Sequence, residues 1–259
     1  MKIIWIVYKR FDSDLSKTSR EEMTRALIKQ NHEVVLVTPY ARNKPISELS
    51  KYIFFIPTLP FKGIYSLFFS ITLFFYIGFR LVFNQPDTIL FEHKGLWALS
   101  PFMFFKKLGF LKTNFCLDIR TVPVDISSRA DILKEKMYEY SLKTAKYLVD
   151  GLTVITPLLK NQICRDYKFD ENKIGIWSSG VTLDIFDEHV PDFKKITLFE
   201  NKDLVLMYHG SLSPNRGIQN AIKAVSILKD QGLNIGFFII GSGKAYGEIN
   251  NIIHTQNLQ

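Results

Sequence analysis

The stretch that decides the fold reads Tyr208-His209-Gly210-Ser211-Leu212-Ser213-Pro214-Asn215-Arg216-Gly217. It follows an apolar run over residues 204–207, typical of a buried strand, and it precedes an amphipathic helical pattern that starts at Ile218. A glycine-rich turn at a helix N-terminus leaves backbone N–H groups free beside the positive end of the helix dipole. Arg216 adds a fixed cation, so the stretch predicts a phosphate site, with an ordinary strand-to-helix loop as the alternative.

Two further turns contain glycine after a predicted strand. Gly241-Ser242-Gly243-Lys244 follows the strand predicted over residues 234–240, at the carboxyl end where open α/β sheets place ligands. Tight packing of the turn explains a lone Gly-x-Gly equally well, but two such turns on consecutive strands open on the same edge. Gly180 permits a sharp turn after the strand predicted over 173–177, and a simple interdomain turn explains it without a ligand.

Strand and helix patterns alternate along the chain, which predicts an α/β fold with a parallel sheet covered on both faces. The predicted strands cover residues 2–8, 33–38, 52–56, 88–91, 114–117, 151–155 and 173–177. The predicted helices cover 18–30, the Phe-rich segment, 97–107, 132–147 and 157–167. The first helix is expected to carry Met23, Ala26 and Leu27 on one face.

A charged stretch over residues 187–202 breaks this rhythm and is interpreted as a linker. We therefore predict an N-terminal domain over 1–186 and a second domain of the same Rossmann-like layout over 203–259. The second domain has two predicted strands and two predicted helices, and two parallel strands cannot close a core. We expect it to be incomplete, either because the polypeptide is truncated or because a partner completes it.

Composition narrows the class of partner. The 259 residues carry a net charge of +8, which suits an anionic substrate or an anionic membrane surface. No basic run or recognition-helix pattern is present, so nucleic acid is not an expected partner. Cys116 and Cys164 have no metal-ligand spacing, and the chain begins with a strand pattern, which together favour a cytoplasmic location.

Residues 63–79 carry no charge and lie between Lys62 and Arg80. Seventeen residues are at the lower limit for a membrane-spanning helix, and a span here would divide the predicted sheet between two sides of a membrane. A buried or surface-docked helix is the second interpretation. The third is a helix that lies in the membrane interface, which predicts peripheral attachment to the inner face of the cell membrane.

Three segments resemble the retaining glycosyltransferases of family 4, also called glycosyltransferase group 1. The family's Asn-Gly-Val-Asp pattern with a following Phe is similar to Ser179-Gly180-Val181-Thr182 and Phe186. Its Gly-Arg-Leu and Lys-Gly-Ile patterns resemble Gly210-Ser211-Leu212 and Arg216-Gly217-Ile218. Its Gly-x-Gly turn is matched by Gly241-Ser242-Gly243, and its Gly-His-Glu-Val second strand resembles residues 31–34.

The resemblance implies the GT-B architecture, in which two Rossmann-like domains face each other across a cleft. It implies metal-independent transfer, without a cofactor, from a UDP- or GDP-sugar to a glycan or lipid-linked acceptor. Arg216 is implied to contact the donor diphosphate, where its guanidinium can fork onto two phosphate oxygens. The donor-binding residues implied by the matched motifs are Gly180, Gly210, Ser211, Arg216, Gly217, Gly241 and Gly243.

The sequence departs from the family in two places. Ser211 stands where the family has its first basic residue, so one phosphate contact is missing or replaced. The family's Glu-x7-Glu motif has no counterpart within the 259 residues. A non-catalytic nucleotide-sugar- or partner-binding subunit, completed by a second polypeptide, is therefore the alternative function, and a membrane-anchored binding module is a third.

Asp118 and Arg120 directly follow the strand predicted over 114–117, and residues two apart in extended chain lie on one side. We predict that they are catalytic, with Asp118 contacting acceptor or donor hydroxyls and Arg120 orienting it; a structural ion pair is the alternative. The family's first glycine pair is absent, and Thr18 and Ser19 are predicted to line the cleft there. His93 follows the preceding strand but is not predicted as a site residue, because a lone histidine is more often structural.

Overall fold

The computed structural model describes residues 1–11, 17–40, 48–58, 64–120, 122–123, 129–178 and 201–258. It divides into two compact units, Met1–Thr182 and Leu183–Gln259. Of the predicted linker over 187–202, all but Asn201 and Lys202 lies outside the described residues, as do Gly180 and Phe186.

The first unit contains a seven-stranded sheet in which every neighbouring pair is parallel. This confirms the predicted α/β fold, and each predicted strand is present with its ends within two residues of the prediction. The sheet order is β3-β2-β1-β4-β5-β6-β7. The strands are β1 (Lys2–Ile6), β2 (Glu33–Pro39), β3 (Ile53–Ile56), β4 (Thr88–Phe91), β5 (Asn114–Ile119), β6 (Gly151–Val154) and β7 (Ile174–Ile176).

The order of strands reverses between β1 and β4. The chain moves outward from β1 through β2 to β3, then returns to β4 on the other side of β1. The connections after β1 and β4 therefore leave in opposite directions, which opens a crevice outside the carboxyl ends of these two strands. Open α/β sheets bind ligands at such a switch point.

Successive residues of a strand face opposite sides of the sheet, and they enter different cores. Ile4 and Ile6 of β1 belong to the main core, whereas Trp5 and Val7 belong to a smaller one on the other face. Helices of the main core are α2 (Tyr65–Phe83), α3 (Leu96–Lys107), α4 (Arg129–Leu148) and α5 (Pro157–Tyr167), and the smaller core receives Met23 of α1 (Lys17–Lys29).

The face of α1 that carries Met23, Ala26 and Leu27 is only partly covered by the rest of the unit. Ala26 is exposed, whereas Arg20 and Thr24 are buried. Arg20 is only 3% exposed, and its guanidinium forms an ion pair with Glu92 and packs over the Trp5 ring. Because its charge is paired, this arginine can be buried although the apolar pattern of the helix does not predict it.

Helix α2 covers most of the charge-free segment found in the sequence. Its Phe69, Leu73, Ile77 and Leu81 follow one another at four-residue spacing and are buried in the main core. Among the described residues, α2 is the one helix whose length and composition would suffice to cross a membrane. About a fifth (22%) of its most apolar 18-residue stretch is buried, so only one side of this helix packs against the rest of the unit.

The second unit pairs strands β8 (Leu204–Ser211) and β9 (Ile235–Ser242) in parallel and packs them with helices α6 (Ile218–Asp230) and α7 (Tyr246–Thr255). The two helices and one face of the sheet enclose a core of Leu212, Ile218, Ile222, Ala245 and Ile249. The two predicted strands and two predicted helices are all present. Met207 and Ile240 are 73% and 50% exposed, so the other face of this sheet is open in the described residues.

Candidate functional site

A small polar pocket lies at the switch point of the seven-stranded sheet. It has a volume of about 80 Å³ and is formed by residues at or just beyond the carboxyl ends of β1, β4 and β5, together with Arg20 of α1. Four basic side chains and two carboxylates line it, so the pocket carries an excess of positive charge that favours an anionic ligand. The lining residues are Lys9, Arg20, Glu92, His93, Lys94, Asp118, Ile119 and Arg120.

Glu92 and Arg20 form an ion pair inside this pocket. The Arg20 Nη2 atom donates to Glu92 Oε1 at 2.5 Å, and the backbone N–H of Tyr8 donates to Glu92 Oε2 at 3.3 Å. The guanidinium also lies over the Trp5 ring, 5.6 Å from its centroid. The pair therefore ties α1 to the carboxyl ends of β1 and β4, and it holds the two strand ends that form the switch point.

Asp118 and Arg120 are brought together as the sequence predicted. Arg120 Nε lies 3.7 Å from Asp118 Oδ2, while Thr153 Oγ1 and Trp177 Nε1 donate to Asp118 Oδ1 at 2.9 and 3.2 Å. Burial raises the pKa of Asp118, and the Arg120 charge opposes that shift. The Asp118 carboxylate is fully enclosed, a geometry that suits the ion-pair alternative as well as a positioning role for this residue.

Arg120 packs beside a pair of neighbouring aromatic rings, Trp5 and Trp177, whose centroids lie 5.1 Å apart. Its guanidinium lies 5.9 Å from the Trp5 centroid and 5.6 Å from that of Trp177, and its Nη1 donates to Ser19 Oγ at 3.2 Å. Ser19, which was predicted to line the cleft, thus contacts a predicted catalytic residue. The residues 12–16 that precede α1 lie outside the described part of the chain.

Sequence reasoning missed Arg20, Glu92 and His93 as members of this site. Burial lowers the pKa of His93 to about 4, so its imidazole is neutral near pH 7. Its ring packs edge-on against Tyr138, with centroids 5.3 Å apart. The available signal was the position of Glu92-His93 directly after a buried strand, because β4 borders the switch point.

In the second unit, the two predicted glycine turns meet at the same edge. Strand β8 extends four residues beyond its predicted end and β9 extends two, so Gly210 pairs with Gly241 and Ser211 pairs with Ser242. The common edge that the sequence predicted is therefore confirmed. Gly210, Ser211 and Gly241 are strand residues rather than turn residues, because the backbone pairing continues through them.

Arg216 and Gly217 lie directly before helix α6. Residues 214–216 form a short 3₁₀ turn, and Gly217 has the left-handed backbone (φ 71°) that starts the helix. Arg216 is exposed, and its guanidinium has no hydrogen-bond or ion-pair partner among the described residues. The first N–H groups of a helix have no acceptor within the helix, so a free cation and free donors occur together here.

Gly241 and Gly243 are required by close packing of the backbone. A Cβ atom at Gly241 would lie 1.9 Å from the Gly210 carbonyl oxygen, and one at Gly243 would lie 2.3 Å from the Leu212 carbonyl oxygen. Leu212 donates its N–H to Ser242 and accepts from the N–H of Ala245, each at 2.9 Å. The packing explanation that the sequence left open for this Gly-x-Gly is therefore correct, whatever ligand the edge binds.

No group of three or more His, Cys, Asp or Glu side chains that could hold a metal ion occurs among the described residues. The predicted metal independence remains a prediction. Cys116 is half-buried, and burial raises the pKa of its thiol to about 12.

Comparison with known proteins identifies the fold. No protein-family model and no curated protein sequence matches the chain. Solved structures match over its whole length, among them a glycosyltransferase from Rickettsia africae (16% identity, TM-score 0.62, 66% of that chain covered). Anabaena Alr3699/HepE in complex with UDP and glucose matches at 10% identity and TM-score 0.69, with 67% of that chain covered. The lipopolysaccharide outer core galactosyltransferase WaaB, in its apo form, matches at 12% identity, TM-score 0.63 and 66% coverage.

These structures share the GT-B fold, and the chain has that fold. At such low identity the likeness concerns the fold, and the chain spans about two thirds of the length of these solved structures.

Proposed function

We propose that the chain belongs to a glycosyltransferase that moves a sugar from a nucleotide diphosphate sugar, UDP- or GDP-linked, to a glycan or lipid-linked acceptor. The observation that carries the proposal is the in-register meeting of the two glycine segments beside Arg216 and the free N-terminus of α6. A structural neighbour that was solved with UDP and glucose supports it. The family 4 assignment, with metal-independent retention of configuration, is the finer form of the proposal.

The chemistry of the donor explains why these groups fit. When the sugar leaves, negative charge grows on the diphosphate, and groups that stabilise this charge lower the barrier. The Arg216 guanidinium and the first N–H groups of α6 supply positive charge without a metal. Gly217 leaves open space where a side chain would stand, with nothing within 4 Å of an added Cβ, so a phosphate can approach the helix N-terminus.

The acceptor is proposed to bind at the switch-point pocket of the first unit. Asp118 and Arg120 remain the predicted catalytic pair, and the enclosed carboxylate supports a role of Asp118 in positioning Arg120, whose guanidinium also packs against Trp5 and Trp177. Glu92 and Arg20 join them as the second ion pair of the pocket.

Titration calorimetry with UDP and GDP tests the donor site. Arg216→Ala should weaken the binding of the preferred nucleotide by about 10- to 100-fold, because a charge-assisted hydrogen bond contributes about 1.5–3 kcal/mol. Arg165→Ala is the matched control, since Arg165 is also exposed and pairs with the neighbouring Asp166. Equal affinities for both variants would remove Arg216 from the site.

Ser211 in place of a basic residue favours the alternative of a non-catalytic nucleotide-sugar- or partner-binding subunit. The two functions differ in one assay. A transferase releases UDP or GDP from the donor sugar when acceptor is present, whereas a binding subunit retains the intact donor and releases none.

A further inference from the structure

The outward side of α2 is apolar along its whole length. Five residues at four-residue spacing form what we call the α2 ridge, and their exposure ranges from 49% to 72%; they are Leu67, Ile71, Phe75, Phe79 and Phe83. A helix on the surface of a water-soluble domain normally carries polar residues on its outward side. We therefore expect the α2 ridge to pack against another apolar surface.

The neighbouring helix extends this apolar surface. The rings of Phe74 in α2 and Phe102 in α3 stack with centroids 4.9 Å apart, which places the two helices side by side. Five exposed residues of α3 and of the turn that follows it are large and apolar, namely Trp97, Phe104, Phe105, Leu108 and Phe110. An exposed apolar surface of this extent marks a docking site for a protein or a membrane.

The charged residues near this surface indicate whether a membrane or a protein binds it. Neither α2 nor α3 contains an acidic residue. Lys107 and Lys112 are exposed beside the apolar end of α3. Two neighbouring helices that carry exposed apolar side chains and lysines but no acidic residue of their own complement the interface of an anionic bilayer, where the rings enter the acyl boundary and the lysines contact phosphate.

A groove connects the α2 ridge with the switch-point pocket. It has a volume of about 540 Å³ and lies between α2, α3 and α4. Its lining includes Leu67, a ridge residue, and also His93 and Lys94, which line the switch-point pocket as well. The remaining lining residues are Ser66, Ser70, Trp97, Lys134, Met137 and Ser141.

We propose that this groove binds a lipid phosphate, which enters from an anionic bilayer on which the α2 ridge rests. Lys94 and Lys134 contact the phosphate, and Trp97 and Met137 contact the first part of the hydrocarbon chain. The inference rests on the proposed function where it makes this lipid the acceptor, because the groove reaches the pocket that holds Asp118 and Arg120. Its volume lies within the usual range of small-molecule sites.

Sedimentation of the full chain with lipid vesicles tests the docking surface. The probes are phosphatidylcholine vesicles with and without phosphatidylglycerol. The wild type should bind the anionic vesicles, and the double variant Phe75→Ser, Phe79→Ser should lower the partition coefficient by about tenfold or more, because two apolar rings no longer enter the interface.

The matched control for the ridge is Leu158→Ser with Ile227→Ser. Both positions are strongly exposed, at 78% and 58%, and both lie outside the ridge. The control should bind vesicles as the wild type does. Equal loss in the two double variants, or no binding by the wild type, would overturn the proposal. Circular dichroism verifies that each variant is folded.

Calorimetric titration with a water-soluble short-chain phosphatidic acid tests the groove. Lys134→Gln should reduce the affinity by about three- to tenfold, since it removes one charged phosphate contact. Lys143→Gln is the control, because Lys143 lies on the same helix, is similarly exposed (65% against 69%) and also contacts one acidic residue. Identical affinities for these two variants, or equally tight binding of inorganic phosphate, would overturn the assignment.

UDP titration of the same variants separates this inference from the proposed function. The ridge and Lys134 variants should bind UDP as the wild type does. Absence of UDP binding by the wild type, with the lipid results as predicted, would remove the proposed function and leave the lipid site in place. The reverse result would leave the donor site and remove the lipid site.

Discussion

At the scale of single residues, Trp5 packs against two buried arginines of the first unit. The guanidinium groups of Arg20 and Arg120 both lie over the Trp5 ring, at 5.6 and 5.9 Å from its centroid. Each has a carboxylate partner, Glu92 or Asp118. A buried charge is costly unless it is paired, so the two ion pairs explain how the switch-point pocket keeps two arginines and two carboxyl groups close to the core.

His93 makes the stability of this unit depend on pH. Its folded-state pKa of about 4 lies below the unfolded value of 6.5, so the unfolded chain takes up more protons between these values. The stabilisation is complete above the unfolded pKa and is lost as pH falls towards the folded one. Relative to His93→Gln, the wild type should lose about 1–3 kcal/mol of unfolding free energy between about pH 7 and about pH 4.5.

Urea unfolding at the two pH values measures this loss. His209→Gln, an exposed histidine of the second unit, should change with pH as the wild type does. A His93→Gln variant whose stability also follows the wild type at both pH values would show that the imidazole is freely protonated in the folded state.

At the scale of secondary structure, the second unit depends on two strands whose ends approach each other without side chains between them. Gly210 and Gly241 are paired across β8 and β9, and Leu212 forms backbone hydrogen bonds with Ser242 at the end of β9 and with Ala245 directly before α7. Glycine is therefore needed at Gly241 for packing, because a backbone carbonyl occupies the space of a Cβ atom.

Gly241→Ala should lower the unfolding free energy by about 1–3 kcal/mol, since the strand ends must move apart to admit a methyl group. Gly247→Ala offers a matched comparison. Gly247 lies in helix α7 with no atom within 4 Å of an added Cβ, so alanine should raise the stability by about 0.5–1 kcal/mol. Urea unfolding of the two variants measures both changes. A neutral Gly241→Ala would mean that the β8 and β9 ends separate freely.

The pattern of apolar residues predicted the elements themselves with small errors. Each strand of the first unit ends within two residues of its prediction, because a buried parallel strand has a continuous apolar run that polar residues interrupt. The end of β8 was missed by four residues, since Gly210 and Ser211 have the composition of a turn. Their backbones are nevertheless held by the neighbouring strand, a contact that no local pattern records.

At the scale of the whole molecule, net charge and the position of the basic residues act together. The chain carries +8, and both candidate sites present basic side chains: Arg216 in one unit, and Lys9, Lys94 and the paired arginines in the other. A long-range positive potential attracts a nucleotide diphosphate in addition to any direct contact.

The affinity for UDP should therefore fall several-fold when the salt concentration is raised from about 0.05 M to about 0.5 M. The Debye length then becomes shorter than the distance between the diphosphate and most of the basic side chains, so their attraction is screened. Uridine, which has no phosphate, is the control ligand, and its weaker binding should not change with salt. Calorimetry measures both ligands. A UDP affinity that is independent of salt would argue against a binding site based on charge.

The sequence by itself determined the alternation of strands and helices, the division into two Rossmann-like parts and the glycine turns at a common edge, because these follow from local periodicity and turn chemistry. It also placed Asp118 and Arg120 on one side of a strand. Only the tertiary structure decided the strand order that opens the switch point, and hence the meeting of Arg20 and Glu92, which lie 72 positions apart. The tertiary structure also decided which side of α2 is buried. A helix with apolar residues on most of its faces gives no sequence signal for its buried side, and that side is set by packing in the main core.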